Sequence, residues 1–145
     1  FLIREVPRYD IKGKRHLEIN PKYYLGDIGL RNGLIGYRDR DIGGILENLV
    51  YIELCRRGYR ILVGTINGKE IDFIAISDNS RLYIQAAYLL ETPDTISREL
   101  APLKDVGDAY PKILLTMDEF QPKDFEGIHH ISILDFLSGT ALPGE

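Results

Sequence analysis

The spacing of apolar residues changes several times along the chain, and each change marks an element. Over residues 45–58 the run ILENLVYIELCRRG combines good helix formers with Arg56 and Arg57 in the last turn, where cations suit the helix dipole, and with Gly58 as a stop. Its apolar residues Ile45, Leu46, Leu49, Val50, Ile52, Leu54 and Cys55 lie almost all round the helix, which predicts burial on several sides. The pattern then shortens to strands over 59–65 and 70–77, divided by Asn67-Gly68, a pair suited to a tight hairpin because both turn positions want positive φ. A second turn at Asp78-Asn79-Ser80 leads to a third strand over 81–89, so a three-stranded meander is expected.

Beyond the meander, Ile96, Leu100 and Leu103 recur at helical spacing, with Thr95 or Asp94 as cap and Pro102 placed to shorten or kink the helix. Residues 111–117 read as a buried strand, 127–133 as another, and 133–139 as a short closing helix. Upstream, glycines at 26, 29, 33 and 36 break residues 23–41 into short turns and one short helical piece. The order helix, three strands, helix, strand predicts an α/β fold with one mixed sheet flanked by helices. In it the second helix serves as a right-handed crossover to a parallel strand.

At 145 residues, 44% hydrophobic and 28% charged, the chain has the size and composition of one globular domain. Residues 23–145 are assigned to that domain and 1–22 to a linker or arm. No apolar run is long enough to span a bilayer and no signal peptide opens the chain, so a soluble, cytoplasmic protein without membrane contact is expected. The absent initiator Met points to a piece of something longer. Cys55, the single cysteine, reads as a buried reduced thiol. A net charge of −4 argues against strong, sequence-independent DNA binding, which needs basic surface. The basic stretch over 8–16 reads as a solvated loop, with a phosphate-contacting arm as the other possibility.

Chemistry concentrates around the meander. Strand alternation puts Glu70, Asp72, Ile74 and Ile76 on one face, and Gln85 and Ala87 on one face of the next strand. If the turn sets Asp72 opposite Gln85 or Ala87, all three converge. Glu47 sits on the buried helix, where a carboxylate needs a partner. The segment GTINGKE over 64–70 lacks the spacing and the Ser or Thr of a phosphate loop and reads as a hairpin turn. His129-His130 has no further ligand at metal spacing, so one buried and one exposed histidine are expected.

An acid on one strand followed by an E-x-K triplet on the next is the arrangement of the PD-(D/E)XK nuclease superfamily, and here the triplet reads Gln85-Ala86-Ala87. The phrases RYDIKGKRHLEINPKYYLGDIGLRN, GGILENLVYIELCRRGYRILVG, EIDFIA, YIQAAYLL, SREL and DAYPKILLTMD resemble the uncharacterised C-terminal domain of prokaryotic AAA-type ATP-binding proteins, a nuclease-like fold. The resemblance runs from about residue 8 to residue 118. It implies a restriction-endonuclease-like core and an upstream ATPase domain of the same polypeptide as partner, with ATP bound there and no cofactor beyond weak Mg²⁺ here. Carried over, Glu47 and Asp72 match acidic positions, Gln85 matches the second metal-binding carboxylate, and Ala87 falls where the lysine would stand. The site is therefore expected to be degenerate, with Glu47, Asp72, Gln85 and Arg98 forming a hydrogen-bonded network and Glu47, Asp72 and Gln85 the metal candidates. The expected role is an accessory interaction module that meets a protein partner or DNA. The competing reading is a metal-dependent DNA nuclease with a relocated cation, Arg98 or Lys104, whereas Lys69 has the wrong strand parity.

Overall fold

The computed structural model describes residues 2–78, 80–119 and 122–144. Its elements are strands β1 (Ile3–Asp10) and β2 (Arg15–Leu25), helices α1 (Ile28–Ile35) and α2 (Ile42–Arg56), and strands β3 (Arg60–Ile66), β4 (Lys69–Ile76) and β5 (Arg81–Ala86). Helix α3 (Pro93–Lys104), strands β6 (Lys112–Thr116), β7 (Asp124–Phe125) and β8 (Ile128–Ser132), and helix α4 (Ile133–Leu137) complete the chain. The eight strands form one mixed sheet in the order β2-β1-β3-β4-β5-β6-β8-β7. Pairing is parallel for β1 with β3, β5 with β6 and β6 with β8, and antiparallel elsewhere. The α/β architecture with helices on the sheet is therefore as expected, down to α3 as the crossover between parallel neighbours. Among the described residues, no helix is long and apolar enough to cross a membrane.

Two apolar layers sandwich the sheet. On one face Leu46, Val50 and Leu54 of α2 and Ile133 and Phe136 of α4 pack on Val63, Phe73, Ala75, Ile84 and Leu115. On the other, Leu100 and Leu103 of α3 pack on Leu62, Ile71, Ile74, Tyr83 and Leu114. The Asn67-Gly68 turn has the positive φ values anticipated, 49° and 74°. The middle of the second turn, Asn79, lies outside the described residues.

The largest departure is at the start of the chain. The segment assigned to a linker or arm is instead a hairpin, β1 and β2, that extends the sheet through parallel pairs Arg8 with Val63 and Tyr9 with Gly64. The basic stretch over 8–16 is the end of that hairpin. Its strands were not apparent because only Val6 and Tyr24 are buried along them, so no alternation shows. Pro7 and Pro21 add to the disguise, and Pro7 sits where the register breaks between Val6 and Arg8, a position that needs no ladder donor.

Smaller corrections concern ends. Helix α2 begins at Ile42 and takes in Gly43 and Gly44, because a 3₁₀ turn over Asp39–Asp41 leads directly into it. Helix α3 is capped by Thr92, whose side chain accepts from the Thr95 amide, with Pro93 opening the helix. Pro102 is buried and the helix runs past it to Lys104. Cys55 is free but only half-buried.

Candidate functional site

Strand β4 carries a bulge. Leu62 pairs with Ile74 and Gly64 with Ile71, so two residues, Asp72 and Phe73, stand opposite Val63 alone. The extra residue resets the alternation. Ile74 and Ile76 turn to the α3 face, while Asp72 and Phe73 both look toward α2, against the sequence expectation that Asp72 and Ile74 share a face. At the same point β4 and β5 part company, their pairing ending at Phe73 with Ile84. Asp72 occupies the gap: its Oδ2 accepts from the Ala86 amide at 2.9 Å, and its own amide donates to Gln85 Oε1 at 3.3 Å. Side chains thus replace the ladder bonds that the splay removes.

A cation reaches this gap from β2. Lys22 Nζ lies 2.5 Å from Glu47 Oε1, 2.8 Å from Glu70 Oε1 and 3.8 Å from Asp72 Oδ1. Tyr24, two residues along the same strand, donates its hydroxyl to the same Glu47 oxygen, and Arg8 donates to Glu70 Oε2. The placement has a simple origin. Lys22 and Tyr24 share a strand face, and Tyr24 is seated by stacking on Tyr51 of α2, with ring centroids 4.4 Å apart.

The electrostatics follow from this crowding. Burial and then the Glu47 carboxylate push Asp72 up to about 7, only partly offset by the Ala86 amide and Lys22. Burial pulls Lys22 down, but its bonds to Glu47 and Glu70 outweigh that and leave it raised. Glu70 is the reverse case, held below its ordinary range by Lys22 and Arg8 against the upward push of burial. Burial, with the Glu47 charge, drives the Tyr24 phenol far above its usual value, so it remains a donor.

The remaining candidates divide between the faces. Gln85 and Ala87 stand on the α3 side, where the Gln85 amide donates to Glu99 Oε2 at 3.1 Å and Ala87 packs on the α3 layer. Gln85 touches Asp72 through the splay, but neither residue shares the face of Glu47. Arg98 is exposed and lies 3.4 Å from Glu99. Lys104 pairs with Glu126, and Lys69 with Asp105. A cleft of about 440 Å³ opens over the strand ends, and its acidic and basic side chains are the carboxyls of Glu47, Asp72, Glu91 and Glu99 and the guanidinium of Arg98, four acids to one base.

The donor set does not match a divalent cation. Glu47 Oε1 already serves Lys22 and Tyr24, Asp72 Oδ2 serves an amide, and Gln85 points its oxygen at a backbone N–H. Among the described residues, no group of three or more His, Cys, Asp or Glu is placed to hold a metal. His130 is buried against Thr116 Oγ1 at 2.8 Å and His129 is exposed, as expected. Lys22, Glu70 and Tyr24 are the members that sequence reasoning missed as a group. Glu70 carried a signal in its parity with Asp72, whereas Lys22 and Tyr24 carried none once their strand was unread.

The chain matches no protein-family profile and no solved structure. An uncharacterized protein of Haemophilus influenzae is similar to it, 41% identical over 137 residues that make up 94% of this chain and 34% of the relative. The chain thus spans about a third of the relative's length.

Proposed function

We propose that this domain is a non-catalytic interaction module of a larger cytoplasmic polypeptide, with a PD-(D/E)XK nuclease-like, restriction-endonuclease-like core whose site has become a closed ionic network. The observation that carries the reading is Lys22 held between Glu47 and Glu70. An ammonium there supplies internally the positive charge that a divalent ion would otherwise bring. The cleft supports the same reading, because its excess of acids repels a phosphodiester. The AAA-type ATPase assignment of the parent rests on the sequence resemblance, and the greater length of the Haemophilus relative is in keeping with a module of a longer protein.

The test is metal-dependent cleavage of single-stranded, duplex and branched DNA. The expected outcome is none with either Mg²⁺ or Mn²⁺. A second reading, an active nuclease with a relocated cation, is favoured by the approach of Lys22 to both Glu47 and Asp72. Cleavage by the wild-type protein that disappears in both Lys22→Met and Asp72→Asn would establish that reading in place of the first.

A further inference from the structure

Two Asn-Gly pairs stand in this chain, Asn32-Gly33 and Asn67-Gly68, and the fold treats them oppositely. A glycine after asparagine leaves its backbone nitrogen unshielded, so that nitrogen can close on the side-chain amide carbon, Cγ, if the peptide between the two residues is free to turn. At Asn32 it is not free. The pair lies inside α1, and the carbonyl of that same peptide accepts from the Gly36 amide at 3.0 Å. Turning the plane would break this bond and disturb the helical ladder around it. At Asn67 the peptide crosses the tip of the β3–β4 hairpin, and among the described residues neither its carbonyl nor the Gly68 amide is hydrogen-bonded. Both residues are exposed, and nothing stands within 4 Å of where a Gly68 Cβ would be.

The Asn67 side chain is also held and polarised. Its Oδ1 accepts from Lys12 Nζ at 3.3 Å and its Nδ2 donates to Asp105 Oδ2 at 3.1 Å, so the amide bridges the tip of the β1–β2 hairpin and the end of α3. An ammonium on Oδ1 stabilises the negative charge that develops there when a nucleophile adds to Cγ. We infer that Asn67 is a site of spontaneous deamidation in the folded protein, that Asn32 is not, and that the change unties the β3–β4 turn from α3. In the first step the Gly68 nitrogen, its proton lost to hydroxide, bonds to Cγ. The Cγ–Nδ2 bond breaks and ammonia leaves with a proton from water. Water then opens the resulting succinimide at either carbonyl, to aspartate or isoaspartate, so one water is consumed and one ammonia released. The amide accepts from Lys12 and donates to Asp105 at once, whereas a carboxylate can only accept. Lys69 and then Asn67 hold Asp105 below its ordinary range, so the new carboxylate would face an anion where the amide now donates. Isoaspartate would in addition lengthen the backbone of a two-residue turn that pairs Ile66 with Lys69.

The test follows both asparagines by mass spectrometry of tryptic peptides while the 145-residue chain stands in mildly alkaline buffer below its melting temperature. Asn67 should convert at least about tenfold faster than Asn32, the factor that one hydrogen bond kept through the reaction is worth. In urea, with the chain unfolded, the two rates should become comparable. Equal rates in the folded protein, or no conversion at Asn67, would overturn the inference. Lys12→Met should slow the reaction at Asn67 several-fold and leave Asn32 unchanged, and an undiminished rate would remove Lys12 from the mechanism. Asn67→Asp reproduces the aspartate product. Its urea midpoint should fall below that of wild type and recover when Asp105→Asn is added. A midpoint equal to that of wild type would overturn the untying of the turn from α3.

Discussion

The carboxyl of Asp72 is the residue on which the chemistry of this site turns. Its ordinary value is 3.8 and burial beside Glu47 moves it to about 7, so between those limits the folded protein holds a proton that the unfolded chain has released. Stability therefore falls as pH rises through that window, because the folded state then has to carry an unfavourable buried anion. Asp72→Asn keeps an acceptor for the Ala86 amide and removes the titration. The variant should gain urea stability over wild type as pH is raised from 5 to 8, and a difference between the two that did not vary with pH would show that Asp72 is ionised throughout. Of the residues involved, Glu47 and Asp72 were legible in the sequence, because a carboxylate among apolar neighbours demands a partner. The partner was not, since Lys22 comes close only when a strand far away in sequence is laid beside α2.

At the scale of elements, the bulge in β4 decides where the acid points. Gly64 lies next to it, paired with Ile71, and a Cβ there would meet Ile71 Cβ at 3.0 Å, Ile11 Cδ1 at 3.1 Å and Ile74 Cδ1 at 3.3 Å. The first of these contacts cannot be relieved by side-chain rotation, because a Cβ moves only with its backbone. Gly64→Ala should cost about 1–3 kcal/mol in urea unfolding by overpacking, despite the gain in backbone rigidity that replacing a glycine normally brings. An unchanged midpoint would mean that β3 and β4 part without strain. Most elements could be read from the chain, since hairpin turns, helix stops and apolar periods are local signals. The bulge could not, because a strand that gains one residue still looks continuous in sequence. That is why Ile74 was placed with Asp72 and is found on the opposite face.

For the molecule as a whole, the N-terminal hairpin is part of the fold and not an attachment to it. Tyr24 stacks on Tyr51 and lies 5.6 Å from Phe73, Val6 is buried in the same layer, and Lys22 is the counter-charge of Glu47 and Glu70. Deleting residues 1–25 would uncover two core aromatics and leave two carboxylates without their ammonium. The truncated chain should lose its near-ultraviolet tyrosine dichroism and its cooperative thermal transition. A remnant that melts cooperatively near the wild-type temperature would return the hairpin to the status of an arm.

The meander, the buried helix α2 and the parallel crossover through α3 were determined by the sequence alone, because each depends on spacing and turn chemistry within a short window. That residues 85–87 read Gln-Ala-Ala, with neither a carboxylate nor a lysine, was equally plain from the letters. Tertiary structure decided the rest. It joined β1 in parallel to β3, a long-range pairing that a strand with one buried residue does not announce. It turned Gln85 and Ala87 toward α3 and carried Lys22 into the gap between Glu47 and Glu70. Distances between charges depend on how sheets close and where bulges reset parity, and neither is written in the order of residues within any one strand.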